Sequence, residues 1–438
     1  MKKKVIILLI LLPAVSRLNS QEGQSWSLEK CIDYAIRQNI QVRKTELTNE
    51  RNNLYYDQAK AQRFPSVSAS AGQNFNWQRN TSTGQQGFFS SNSSSYSVNS
   101  GVTIYGGSRL TNQISQARLD IEGGEYSLET TKENISLSIL NAFLQVLYSK
   151  EQVRNSQKQI ASTEEQLRLA GERLELKVIS VADYAQVKSE LASEKLTLAN
   201  AESQLSISKI NLMQLMELPV DNGFDIVQPS LAELLNQNRV PDVKAVYETA
   251  LAIKPQIKNA EINKQLAQLD EKIARAGYYP TLSASGGIST GYSSVSSGAY
   301  GNQLSEGVRP AAGLSLSIPI YQRKQVKTSV EVAKIGVRDA ELSELDTRNQ
   351  LRKSIEQACL DVTSAQAEFV ASNEKYNATL EASKLSDEKF GQGLINSVDY
   401  LVSKTNLIVA ESQLLQSKYN LIFSYKVLDF YTGVPLAL

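Results

Sequence analysis

DYAQVK, at residues 183–188, is repeated 216 residues later as DYLVSK, at residues 399–404. The same offset relates two series of leucines with heptad spacing, Leu191, Leu198, Leu205, Leu212 and Leu407, Leu414, Leu421, Leu428. Further upstream, AKAQRFP at residues 59–65 is echoed by ARAGYYP at residues 274–280. The chain is therefore a tandem duplication of one unit of about 215 residues, which predicts that each half builds the same structure.

The duplication and the N-terminal composition together predict the domain organisation. Three lysines precede an apolar run of about eleven residues, which is too short to span a bilayer and is typical of a secretory signal. A single N-terminal membrane anchor is the alternative, and Pro13 within the run argues against it. We expect a signal peptide at 1–20, a first repeat (helix, β-hairpin, long helix, helix) at 21–220, an equatorial linker at 221–241 and a second repeat at 242–438.

Composition excludes several classes of function. Cleavage after Ser20 would leave 42 basic and 45 acidic residues, a balance that argues against nucleic-acid binding. Histidine is absent, which removes imidazole metal ligands and the usual general base near neutral pH. The sequence contains no glycine-rich phosphate loop, no GxSxG turn and no CxxC pair. We therefore expect no enzyme activity, no catalytic residues, no cofactor and no bound metal.

Long proline-free tracts predict long helices. No proline occurs at residues 66–218 or 320–434, and proline inside a helix costs about 3 kcal/mol. We expect helices from Ser108 to about Lys177 and at 325–390, each on the order of 100 Å long. An a/d heptad seam in the second helix predicts coiled packing, and comprises Leu351, Ile355, Ala358, Val362, Ala365 and Phe369. Cys31 and Cys359 occupy apolar helical positions, which predicts buried free thiols, with a disulfide between the halves as the alternative.

Four shorter segments alternate apolar with small polar residues, at 66–77, 96–104, 282–289 and 313–320. Period two predicts strands, hence one hairpin in each half, joined by Ser/Gly/Asn-rich loops at about 79–94 and 290–307. The uncharged polar faces favour the wall of a watery lumen, with a small soluble sheet as the alternative. Four strands are too few to close a barrel across a membrane, and unpaired strand edges are too costly in lipid. Several copies of the chain must therefore combine their strands in one barrel. Two copies would supply eight strands and three would supply twelve.

In this order of features the sequence resembles the TolC-like outer-membrane efflux family over about residues 26–434. The resemblance rests on the signal peptide, the duplication, Ala-x-Ala-x-x-Phe/Tyr-Pro before each hairpin, the long helix after it and an Asp at the start of the next helix. It implies a mainly α chain with membrane β structure, assembled as a homotrimer. Twelve strands, four per chain, would form an outer-membrane β-barrel that continues into a long periplasmic α-helical barrel.

The resemblance also implies a function. The family supplies the passive exit ducts of tripartite efflux pumps and type I secretion systems. A periplasmic adaptor (membrane fusion) protein opens such ducts at their helical tips, and an inner-membrane transporter of RND, ABC or MFS type provides the energy. Outer-membrane lipid is the remaining partner, and no nucleic acid is expected. The alternative function is a secreted coiled-coil scaffold or adhesin with no transport role.

The resemblance places a periplasmic gate at the two helix-turn-helix tips. Asp399 matches an aspartate that lines the aperture in relatives, and Asp183 matches the acid of the first tip, which in relatives pairs with a basic residue across the tips. Phe390 stands where an aromatic side chain contributes to that latch. This chain departs from the family at Ile395, in place of the basic partner, and at Val402, in place of a second aspartate.

The same tips are where adaptors dock in the family. The candidate docking residues are Val178, Ile179, Ser180, Gly393, Leu394, Ile395 and Asn396. Their residue types also fit a purely structural role in a tight turn, because Gly393 suits a reversal and Asn396 or Ser397 suits a helix N-cap. Asp399 likewise fits the first turn of a helix, where a carboxylate favours the positive end of the dipole. In the first tip Lys177 takes the place of the glycine.

Overall fold

The computed structural model describes residues 26–80, 87–221, 223–231, 235 and 240–438. The expected signal peptide lies outside the described residues, as do residues 222, 232–234 and 236–239 of the expected linker. The helices are α1 Leu28–Gln38, α2 Ile40–Ala61, α3 Arg109–Glu175, α4 Val181–Leu215, α5 Val243–Ile253, α6 Pro255–Arg275, α7 Tyr300–Glu306, α8 Gln325–Gly391 and α9 Ser397–Thr432. The strands are β1 Ser66–Asn80, β2 Gly87–Gly106, β3 Thr281–Ser293 and β4 Arg309–Ser317.

The two long helices are equal in length and begin in the same way. α3 and α8 each contain 67 residues, which corresponds to about 100 Å. The residues before them, Ser108 and Lys324, both have left-handed backbones, with φ of 64° and 65°. The shorter partners α4 and α9 have 35 and 36 residues. The duplication seen in the sequence is therefore present in the backbone, and both expected long helices are confirmed.

No helix among the described residues is both long enough and apolar enough to cross a bilayer.

The four strands form one antiparallel sheet in the order β1-β2-β3-β4. In-register partners such as Ala69, Val98 and Ile288 lie on one face, together with Leu314 and Leu316 from β4. The other face carries serines that bond across the strands, as in the 2.7 Å contact between the hydroxyls of Ser70 and Ser97. The predicted alternation is confirmed, and within the described chain β1 and β4 each leave one edge unpaired.

The two hairpin loops contain fewer residues than the sequence predicts. β1 continues to Asn80 and β2 begins at Gly87, so most of the expected 79–94 loop is strand. The second expected loop, 290–307, contains the end of β3 and the short helix α7. Serine and asparagine have low strand propensity, but each of them here has a paired neighbour, as in Asn74 opposite Ser93. Cross-strand pairing therefore overrides the local preference for a loop.

Two buried clusters lie along the helices, and α9 contributes to both. One joins α1, α3 and α4 around Phe143, Leu212 and Cys31. The other joins α5 and α6 to the heptad seam of α8, in which Leu351, Ile355, Ala358, Val362 and Ala365 are buried. Both cysteines are buried free thiols, so the alternative of a disulfide between the halves is wrong. Burial raises the pKa of the Cys31 thiol to about 12.

The part of the linker that the structure describes is attached to the first repeat. The backbone N–H of Trp26 donates to the carbonyl of Asp225 at 3.1 Å, and Val227 donates back to Trp26 at 2.9 Å. Lys150 and Lys209 hold the Asp225 carboxylate at 2.8 and 3.0 Å. Its pKa is lowered because these two ion pairs outweigh the effect of burial. The linker thus lies against the middle of α3 and the C-terminal end of α4.

Candidate gate at the helical tips

Both tips reverse the chain with the same hydrogen-bond pattern. In the first tip the backbone N–H of Val178 donates to the carbonyl of Arg173 at 2.9 Å, and in the second Leu394 donates to Lys389 at 2.9 Å. The residues preceding these donors have positive φ, 58° at Lys177 and 73° at Gly393. This is a helix C-terminus closed by one left-handed residue, a position that glycine adopts without strain. The tips are therefore equivalent in geometry, although one has a lysine at the left-handed position.

Each tip begins its second helix with a side-chain cap. In the first tip the Ser180 hydroxyl accepts the backbone N–H of Asp183 at 3.1 Å, and the Asp183 carboxylate accepts the Ser180 backbone N–H at 3.3 Å. Together these bonds form a capping box. In the second tip Asn396 accepts the backbone N–H of Asp399 at 2.8 Å. The expected N-cap at Asn396 is therefore confirmed.

The two candidate gate acids differ in their surroundings. Asp183 is half-buried, and its carboxylate also accepts the Ser180 hydroxyl at 2.7 Å. Asp399 is exposed, and its carboxylate forms no hydrogen bond or ion pair with the side chains that the structure describes. Asp183 thus serves its own helix cap, whereas the charge of Asp399 points into solvent at the tip. A carboxylate at that place is accessible to ions.

Phe390 lies at the contact between the tips. Its ring stacks on Tyr400, with centroids 4.4 Å apart and planes inclined by 12°. Its backbone carbonyl accepts a hydrogen bond of 3.5 Å from the Arg173 guanidinium, which belongs to the first tip. Ile395, in the turn that follows, supplies no charge. The guanidinium–carbonyl bond therefore connects the two tips, whereas the aromatic stack joins the two helices of the second tip.

A buried polar group lies one to two turns behind this contact. The Lys404 side chain is almost fully buried and pairs with Asp387 at 3.4 Å, which ties α9 to α8. Tyr400 is also buried, and burial followed by the charge of Asp387 raises its pKa. Facing them from α4 is Glu194, whose carboxylate accepts from Thr163 at 2.9 Å and from Gln159 at 3.0 Å.

Glu194 is the most unusual of these groups. It is buried, and its second carboxylate oxygen has no hydrogen-bond partner among the described atoms. Burial raises its pKa, while the bonds from Gln159 and Thr163 and the charge of Lys404 act in the opposite direction. Because a buried carboxylate without full pairing is costly when ionised, the contact between the two helical hairpins favours the protonated acid.

The seven docking candidates divide into exposed and half-buried residues. Val178 and Leu394 are 69% and 68% exposed and occupy equivalent positions in the two tips. Ile179 and Ile395, one residue later, are half-buried in both repeats. Ser180 and Asn396 accept the N-cap hydrogen bonds, and Gly393 provides the reversal. Among these seven, only Val178 and Leu394 thus offer exposed apolar side chains to a partner.

Lys404, Tyr400 and Glu194 also belong to this site, and none of them was predicted from the sequence. The first two are part of the repeated DYxxxK pattern, so a signal was present. Their equivalents Tyr184 and Lys188 are half-buried and exposed, however, and only the second copy is buried. No signal marked Glu194. Within the described residues, no three acidic, cysteine or histidine side chains come close enough together to hold a metal ion.

Comparisons with known proteins agree with this architecture. The model of the family described as outer membrane efflux protein matches residues 31–217 and 246–434. No curated protein sequence gives a significant match. The Campylobacter jejuni CmeC outer membrane channel is similar in structure, with a TM-score of 0.77 and 15% identity over 93% of this chain and 85% of that one. The outer membrane protein VceC from Vibrio cholerae has a TM-score of 0.74 and 17% identity over 93% and 96%.

A further similar structure was solved in an open state. It is the Neisseria gonorrhoeae MtrE outer membrane channel, with a TM-score of 0.68 and 20% identity over 93% of this chain and 88% of that one. At these identities the structural likeness concerns the fold. The family match covers both repeats and most of the chain.

Proposed function

Because the chain belongs to the outer membrane efflux protein family, we propose that it is the passive outer-membrane exit duct of a tripartite efflux pump or a type I secretion system. Three copies would join their sheets into a twelve-stranded barrel in the outer membrane. Their helices would continue as a barrel into the periplasm. The duct carries out no chemistry of its own.

The observation that carries this proposal is the unpartnered sheet at one end of the long helices. Its apolar face is bare, with Val67, Trp77 and Leu314 each more than 70% exposed, and both of its edges lack a partner in the described chain. Unpaired backbone groups and a bare apolar face are both costly in water, and the edges would be costly in lipid as well. Closure with two further copies inside a bilayer removes both costs.

The tips would form the gate. Three Asp399 carboxylates, one from each subunit, would converge at the periplasmic aperture, repel one another and attract cations. Val178 and Leu394 would present apolar contacts to a periplasmic adaptor. The adaptor would be joined to an inner-membrane transporter of RND, ABC or MFS type, which provides the energy.

Opening would be a shift in population between two arrangements of the hairpins. An adaptor opens the duct only if it binds the splayed tips more tightly than the packed ones, by a few kcal/mol. The Arg173–Phe390 bond, which joins the two hairpins, would favour the packed arrangement. At 3.5 Å this bond is weak, so a modest difference in the binding energy of the adaptor would suffice to break it.

The test is extraction followed by conductance. The mature protein should require detergent, migrate as a heat-labile oligomer of about three times the monomer mass, and form ion-conducting pores in planar bilayers. A polypeptide that is soluble without detergent and runs as a single chain would overturn the proposal and favour a secreted scaffold or adhesin instead.

A further inference from the structure

The four junctions between helices and strands are strongly basic. Residues 60–66, 105–113, 272–281 and 317–327 contain eight lysines and arginines and no aspartate or glutamate, in a chain that has 46 basic and 45 acidic residues. All eight side chains are exposed. The set, called here the basic collar, consists of Lys60, Arg63, Arg109, Lys272, Arg275, Arg323, Lys324 and Lys327.

The topology brings the four junctions to the same end of the sheet, where the strands meet the helices. β1 starts at Ser66 and β3 at Thr281, whereas β2 ends at Gly106 and β4 at Ser317. In the register of the sheet Thr281 lies between Gly106 and Ser317, and the start of β1 lies opposite Gly101. Four segments that are distant in sequence therefore place their charges at the same level of the molecule.

Three of the arginines keep their charge uncompensated within the described chain. Arg63, Arg109 and Arg323 form no ion pair with any residue that the structure describes. Lys60 and Arg275, in contrast, pair with acids on their own helices at 2.7 and 2.6 Å. The acidic residues on the same helices therefore neutralise only part of the positive charge of the collar.

A cavity of about 680 Å³ opens among these junctions. Arg63 and Arg109 both line it, together with Tyr105, Tyr279 and Gln322. Two guanidinium groups, phenolic rings and an amide form a donor-rich pocket, which suits an anion larger than chloride. Guanidinium binds phosphate oxygens in a bidentate manner, so phosphate is the anion that this pocket fits best.

The side chains change from apolar to aromatic to charged along the direction from the sheet to the collar. Ile320, Tyr321 and Phe64 are 95%, 81% and 72% exposed and lie just outside the strands. The apolar sheet face begins immediately beyond them, at Val67 and Leu316. An apolar band followed by aromatic and then basic side chains matches the profile of a bilayer from its core to its head groups.

We propose that the basic collar binds the phosphate groups of anionic phospholipids in the leaflet that faces the helices. This inference rests on the proposed outer-membrane function, because the sheet must lie in a bilayer for the collar to reach head groups. It assigns a lipid class to a surface that the gate and the barrel do not explain. Bound lipid would fix the depth of the sheet in the membrane.

The test measures lipid preference in the intact oligomer. Native mass spectrometry of the protein in neutral detergent should show more bound phosphatidylglycerol than phosphatidylcholine at equal concentrations, and added salt should reduce the difference. The variant R63Q/R109Q/R323Q should lose the preference by about fivefold or more. The control K44Q/K244Q/K353Q removes three exposed charges remote from the collar and should keep it.

Two further comparisons distinguish the effect of side-chain charge from that of side-chain shape, and the binding of lipid from the binding of free phosphate. R63K/R109K/R323K keeps the charge and should bind phosphatidylglycerol better than the glutamine variant. Equal binding of the two lipids by the wild type would overturn the inference. So would displacement of phosphatidylglycerol by an equal concentration of inorganic phosphate, because the site would then be for free phosphate.

Conductance distinguishes this inference from the proposed function. The glutamine variant should still form heat-labile oligomers and conduct, since the collar is not part of the gate. A wild-type protein that neither requires detergent nor conducts would refute the duct. A conducting wild type without lipid preference would refute the collar alone.

Discussion

Lys177 and Gly393 occupy equivalent positions in the two repeats and share a left-handed backbone, with φ of 58° and 73°. That conformation costs a residue with a Cβ about 1 kcal/mol or more and costs glycine almost nothing. Glu217 and Gly433 repeat the relationship at the ends of α4 and α9, with φ of 57° and 78°. The first repeat therefore carries backbone strain at two turns that the second repeat relieves with glycine.

Replacing Lys177 with glycine should stabilise the first tip by up to about 1 kcal/mol, because the left-handed strain disappears. Gly393→Lys should destabilise the second tip by a similar amount. No described atom lies within 4 Å of a Cβ added at Gly393, so only the backbone opposes the change. Hydrogen–deuterium exchange of residues 174–182 and 390–398 measures both effects. Lys177→Ala, which keeps the Cβ, serves as the control, and faster exchange in Lys177→Gly would contradict the role of strain.

Arg173 should hold the tips together. Arg173→Ala removes the bond to the Phe390 carbonyl and should weaken the packed arrangement by about 1 kcal/mol, which raises the open fraction several-fold. Single-channel recordings would show longer or larger openings. Lys389 is the equivalent residue of the second tip and is exposed, so Lys389→Ala is the matched control. Equal effects of the two variants would show that the contact has no part in gating.

Variants at Asp399 and Asp183 should distinguish a role in ion selectivity from a role in helix capping. Asp399→Asn should reduce cation preference and weaken block by multivalent cations, because three converging charges are lost. Asp183→Asn should leave selectivity unchanged and weaken the start of α4 by about 1 kcal/mol, because it disrupts the capping box. Reversal potentials in asymmetric salt and amide exchange in the first turn of α4 provide the two readouts. An Asp399→Asn pore with unaltered selectivity would remove Asp399 from the aperture.

Glu194 should make the packing of the hairpins sensitive to pH. Its pKa is raised in the folded protein, chiefly by burial, so the folded state binds the proton more tightly than the unfolded state does. The resulting stability is complete below the ordinary glutamate pKa and is lost as pH rises through the raised value. The loss amounts to about 1.4 kcal/mol for every tenfold difference in proton affinity between the folded and unfolded states.

Glu194→Gln mimics the protonated acid, so this variant should not lose stability as pH rises. Amide exchange of residues 155–170 and 187–200, measured at several pH values and corrected for intrinsic rates, reports the effect. Glu202→Gln, an exposed change on the same helix, should keep the wild-type pH dependence. Retention of that dependence in Glu194→Gln would assign it to another group, with Glu411 the next candidate, since burial raises its pKa as well.

Local patterns predicted the long helices to within two residues, since the expected 108–177 and 325–390 compare with Arg109–Glu175 and Gln325–Gly391. Helix ends depend on nearby residues, on caps and on the absence of proline, all of which the sequence displays. The strand ends were predicted poorly because the Ser/Asn-rich tracts, such as the residues around Asn76 and Ser91, are strands only through their partners. The tip candidates were correctly placed on the turns, and their gate and docking roles stay predictions.

The sequence by itself determined the duplication, the helix lengths, the alternating faces of the strands and the positions of the two turns. Each of these depends on spacing along the chain and on intrinsic backbone preference. Only the tertiary structure decided that Lys404 is buried while its copy Lys188 is exposed, and that Glu194 faces the other hairpin. Burial depends on which helix packs against which face, and the two copies of the DYxxxK motif acquire different electrostatic roles because their surroundings differ.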